Sequence, residues 1–91
     1  MSTIWKYELE LTDRQQVIMP TGATILCVQT QLGNLCLWAQ VDPNAKKEER
    51  HIAIVGTGHP IHRNAWKYIG TAQQAVFVWH VFEIPPIKDL Q

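Results

Sequence analysis

The sequence predicts an all-β fold, a small single-domain sandwich or open barrel of about seven mostly antiparallel strands. Three observations lead there. Short stretches alternate apolar and polar residues, the period of two that sets one face of a strand against a core. Clusters of Gly, Pro, Asn and Asp break those stretches at short intervals. No window of ~11 residues carries the 3.6-residue apolar period of an amphipathic helix. The chain has 91 residues, room for one domain and not two. That domain is expected over residues 4–83, with 84–91 as a C-terminal tail.

In "TIWKYELEL" Trp5, Tyr7, Leu9 and Leu11 fall on one face and Lys6, Glu8 and Glu10 on the other, a half-buried strand. "TDR" offers a turn and "QQVIM" a second short strand. "PTGA" is a turn with Pro20 at its start and Gly22 free to take positive φ. "TILCVQTQ" is the third strand, with Leu26 and Val28 on the face opposite Ile25 and Cys27, and "LGN" closes a hairpin into the fourth, "LCLWAQV". "DPNAKKEER" holds Pro43 and a run of charges from Lys46 to Arg50, and reads as a solvated connection. "HIAIVGT" is the fifth strand, "GHPIHRNA" is irregular, and "WKYIGT" and "AVFVWHVFE" are the sixth and seventh. The paired prolines of "IPPIKDLQ" keep the tail out of a central strand.

Composition narrows the function. Eight acidic and eight basic residues cancel. That argues against a general electrostatic grip on a DNA or RNA duplex or on a membrane, and leaves room for a small anion held by one or two local cations. Cys27 and Cys36 are two thiols where a secreted domain this short usually has four or more, so both are expected reduced and non-catalytic. "MSTIWKYELE" has no apolar signal core and no run approaches the ~18 residues of a membrane span; the expected location is the cytoplasm. Of the four tryptophans, two or three are expected in the core and one or two at a ligand or partner surface. A chain this short buries only about 60–65% of its unfolded surface, and its sheet edges need covering. Both points favour a homo-oligomer.

"GTGHPIH", residues 56–62, is the stretch richest in chemistry. As a metal site it offers His59 and His62, with His51 and His80 on neighbouring strands, but zinc wants three or four ligands and no HExxH or CxxC is present. Hydrolase readings fare no better: Ser2 is the one serine, no Gly-x-Ser-x-Gly exists, and Cys36 sits inside a strand where a packed thiol is expected. As an anion cradle the loop offers more. Gly56 and Gly58 suit close approach and positive φ, successive N–H groups can converge on an anion, Thr57 and His59 add donors, and Arg63 and Lys67 follow. It is not a Walker loop, since no Gly-Lys-Ser/Thr follows and no helix begins there. The plain alternative is a glycine-rich turn with nothing bound.

The stretches "IWKYELELTDRQQVIMPTGATILCVQTQ", "LCLWAQVDP", "GTGHPI" and "YIGTAQQAVFVWHVFE" resemble a family of short uncharacterised bacteriophage and prophage proteins, from Ile4 to Glu83. Its pattern includes the glycine–histidine loop. In size, class and phage association the chain is also similar in outline to nucleotide sponges, oligomers that sequester the cyclic nucleotide signals of CBASS-type immunity. That likeness implies a non-enzymatic, homo-oligomeric binder of a cyclic nucleotide with no cofactor. Gly56, Thr57, Gly58 and His59 would then meet phosphate, Arg63 would add charge, and Trp66 or Tyr68 would stack on a base. The alternatives are a phage accessory module that docks on a host protein and, third, a small enzyme. The glutamine face of Gln29, Gln31 and Gln40 is the place to look next if the loop is only a turn.

Overall fold

Alternation along each segment delivers seven strands and two sheets. The computed structural model describes residues 1–61 and 66–86. The strands are β1 (Thr3–Glu8), β2 (Arg14–Pro20), β3 (Thr24–Gln31), β4 (Asn34–Val41), β5 (Lys47–Gly56), β6 (Lys67–Gln74) and β7 (Phe77–Ile84), with no helix among the described residues. The first sheet has the order β1-β4-β3 and the second β2-β5-β7-β6, every pairing antiparallel. The fold is a sandwich that does not close into a barrel; it is 16 Å through its thin axis, as two sheets about 10 Å apart require.

The core lies between the inner faces. Leu35, Leu37, Ala39 and Val41 of β4 meet Met19 of β2, Ile52 of β5 and Val81 of β7, all 1% exposed or less. Each such large aliphatic side chain contributes about 1.5–3 kcal/mol by leaving water. Trp5 and Trp79 pack half-buried against this cluster, while Trp38 and Trp66 lie outside it. The Arg50 guanidinium closes one end of the layer: it forks onto the Glu83 carboxylate through Nε and Nη2, and Nη1 donates to the Ala23 carbonyl at 2.8 Å. The hydrogen bonds to Glu83 are the main reason that Arg50 holds its proton above its ordinary range.

The two lateral sides of the sandwich differ. On one, β3 and β6 are stitched by side chains: Thr30 Oγ1 donates to the Gln73 carbonyl at 2.7 Å and Gln74 Nε2 to the Gly33 carbonyl at 2.9 Å. On the other, the edges of β1 and β2 stay apart across a groove of about 1210 Å³.

Several local expectations are corrected. Lys47–Arg50 are not loop but the first half of β5, paired with Val17–Pro20; the connection shrinks to 42–46. Charges populate that strand because its outward positions face solvent and its inward Arg50 is neutralised by Glu83. A bulge between Ile25 and Cys27 ejects Leu26, 45% exposed, and puts Ile25 and Val28 on the inner side. Leu11 lies beyond β1 and is exposed. Cys27 stands opposite Trp38 and Cys36 opposite Gln29, so the two thiols are diagonal neighbours and both are free; a diagonal pair sits ~7–8 Å apart, beyond disulfide reach.

Candidate functional site

The loop that ends β5 divides its two glycines between two tasks. Residues 56–59 form a tight turn in which the His59 N–H donates to the Gly56 carbonyl at 3.0 Å. Gly58 takes φ +91° at the third position, where glycine is favoured. Gly56 has no positive φ; it is glycine because a Cβ there would lie 3.2 Å from the His59 ring and 3.3 Å from Trp79. The turn spends the His59 N–H internally, so a backbone nest has one donor fewer than the sequence suggested, and any anion at this loop depends more on side chains. The His59 ring lies over Gly56 and makes no side-chain hydrogen bond among the described residues.

Thr57 is engaged differently from expectation. Its Oγ1 bonds His80 Nε2 at 2.8 Å, His80 Nδ1 bonds Thr71 Oγ1 at 2.9 Å, and Thr71 Oγ1 bonds the Tyr68 hydroxyl at 2.6 Å. A neutral imidazole donates from one nitrogen and accepts at the other, so the four groups form one directional chain from the loop across β7 to β6. Tyr68, 56% exposed, is thereby held in place on the outer face of the second sheet.

Beside this chain lies an aromatic layer. The Phe82 ring is 6.1 Å from Trp66 and 5.6 Å from Tyr68 between centroids, and the Arg14 guanidinium lies 5.2 Å over Trp66. Ala53, between Arg14 and Phe82 in the register, is fully buried on what would otherwise be a solvent face. Asp13, Arg14, Val55, His59, Pro60 and Trp66, with Ile54, line a cleft of about 380 Å³, within the range of small-ligand sites.

The structure therefore gathers His59 and Trp66 at one cleft, with Tyr68 joined to Trp66 through Phe82; Gly56, Thr57, Gly58, Tyr68 and His80 are not among its lining residues. Arg63 and His62 lie outside the described residues. Arg14 is the cation that sequence reasoning missed. It stood in a stretch read as a turn, and nothing local could link it to Trp66, 52 positions along; the β2–β5 pairing does so. The histidines disperse: His80 stands opposite Val55 and His51 opposite Ile84, and among the described residues no three His, Cys, Asp or Glu side chains could hold one metal ion. Among the same residues no helix is long and apolar enough to cross a membrane.

Residues 1–89 match the model of a family described as a domain of unknown function, DUF7352. The chain belongs to that family. The match spans all seven strands and the whole cleft. No curated protein and no solved structure matches the chain.

Proposed function

We propose that this DUF7352 chain is a non-catalytic binder of a nucleotide, with phosphate between Arg14 and His59 and a base against Trp66. The observation that carries the reading is one cleft lined by a guanidinium with no carboxylate partner, an imidazole with no side-chain hydrogen bond, both among the described residues, and a half-buried indole. Arginine and histidine donate to phosphate, and a base stacked on an aromatic ring gains about 1–3 kcal/mol. The larger groove between β1 and β2 suits an anion less well, because Glu8, Glu10 and Glu49 line it and offset Lys6, Arg14 and His51. Asp13 at the rim of the smaller cleft would accept from a base amine or a ribose hydroxyl.

The finer form of the reading is sequestration of a cyclic nucleotide signal of bacterial immunity. A neutral chain suits it, since a pocket with one or two fixed cations holds a small anion without attracting long nucleic acids. Two phosphates and two bases would occupy more than one such cleft and draw in a second copy.

Thermal-shift screening against linear and cyclic nucleotides tests this. A ligand at 100 times its dissociation constant adds about 2.7 kcal/mol, which in a chain of this size raises the midpoint by roughly 10 °C or more. A binder returns the nucleotide intact after denaturation and an enzyme returns product. A protein-docking module gives no shift with any nucleotide.

A further inference from the structure

Among the described residues no strand pairs with the outer edge of β1, and its pattern says what fits it. Leu9 N–H donates to the Leu35 carbonyl at 2.8 Å, continuing the register Tyr7↔Leu37 and Trp5↔Ala39. Antiparallel pairing alternates residues whose backbone groups face the neighbouring strand with residues whose groups face away. Tyr7 and Trp5 thus spend theirs on β4, while Ile4, Lys6 and Glu8 present theirs to the groove. The edge stops at Glu10, whose N–H and carbonyl are both taken by the Gln15 side chain, at 3.1 and 2.7 Å. A lysine on an edge strand usually guards it. In the single chain Lys6 turns away, its Nζ donating to Gln31 Oε1 at 2.8 Å, an exposed hydrogen bond that it gives up to meet a carboxylate across the edge.

Tyr7 packs its ring against the core, its hydroxyl buried and without a hydrogen-bond partner among the described residues. Tyr7 also lines the groove beside the open edge.

We propose that β1 pairs with β1 of a second copy of this chain, antiparallel about a two-fold axis at Tyr7, making one six-stranded sheet. That register sets Lys6 against the partner's Glu8, and Glu8 against the partner's Lys6. An axis at Lys6 or at Glu8 would oppose like charges, and an axis at Trp5 would oppose Ile4 and lysine. The Tyr7 register also falls on a non-hydrogen-bonded pair, where Cα atoms approach to about 4.5 Å. The two Tyr7 backbones stand side by side there, with both rings turned to the core side of the joined sheet. The interface is isologous and closes on itself. Arg14 lines both this groove and the smaller cleft, whereas Lys6, Tyr7 and Glu8 line only the groove, so the interface is tested in the ligand-free chain and through those three residues.

Sedimentation equilibrium of the full chain, without ligand, from micromolar to millimolar concentration tests it. A reversible dimer is expected. Lys6→Glu and Glu8→Lys should each weaken it about tenfold, because each turns two attractive cross-strand pairs repulsive. An equimolar mixture of the two variants should dimerise again, since every charge pair in the mixed dimer is opposite. A monomer throughout the range overturns the proposal. So does a dimer indifferent to both charge reversals, or a mixture that fails to restore what each variant lost.

Discussion

Gly56, Gly58 and Gly70 show how one residue type answers three different constraints. Gly58→Ala is strained by φ +91° and should cost about 1–2 kcal/mol in thermal or urea unfolding. Gly56→Ala sets a methyl 3.2 Å from the His59 ring, which can swing aside, and 3.3 Å from Trp79, which must give by a few tenths of an ångström. It should disturb ligand binding more than stability. Gly70→Ala sets a methyl 2.9 Å from Val28 Cγ1, between the sheets at the β6 bulge. Overpacking of that kind costs about 1–3 kcal/mol, so urea unfolding should rank it the worst of the three. Tyr7 predicts a pH dependence. Burial raises its pKa above the ordinary 10.0, so above about pH 10 the unfolded chain holds fewer protons than the folded one and stability falls as pH rises. Stability curves of Tyr7→Phe and parent should run parallel below pH 10 and diverge above it, with the parent falling faster. The loop glycines were legible in the sequence as a pair. Their separate reasons were not, because the His59 and Trp79 rings reach Gly56 only through the turn and the β5–β7 register.

Strands were the most legible elements, because alternation is a local signal and the core needs it. The misread parts are those where tertiary pairing overrides local pattern. Lys47–Arg50 looks like a charged linker until Val17 and Met19 of β2 are laid beside it. The bulge after Ile25 breaks an alternation that the sequence could not phase. Hairpin chemistry gives a stability prediction. Leu32 and Gly33 link β3 to β4 with φ +51° and +82°, and Leu32 is 95% exposed. Positive φ at both central positions marks the turn that prefers Asn-Gly. Leu32→Asn should raise stability by about 0.5–1 kcal/mol, read as a higher urea midpoint at unchanged slope; a loss would mean that Leu32 packs against something.

At the scale of the molecule, two sheets meet over one apolar core and Arg50 with Glu83 seals one end of it. Arg50→Met leaves a carboxylate only 16% exposed without its partner, and should cost about 3 kcal/mol in equilibrium unfolding. The candidate site was half legible. His59 and Trp66 stood out as chemistry beside glycine and in a tryptophan-rich chain. Arg14 and the Thr57–His80–Thr71–Tyr68 chain did not, because three strands distant in sequence converge on them. The central claim is that this convergence binds a nucleotide. Its most direct test is calorimetric titration of the best nucleotide from the thermal screen into the parent, Arg14→Ala and His59→Ala. Each variant loses a hydrogen bond to a charged group, about 1.5–3 kcal/mol, and should bind roughly 10- to 150-fold more weakly while unfolding at the parent's midpoint. Equal affinity in all three proteins would contradict the account.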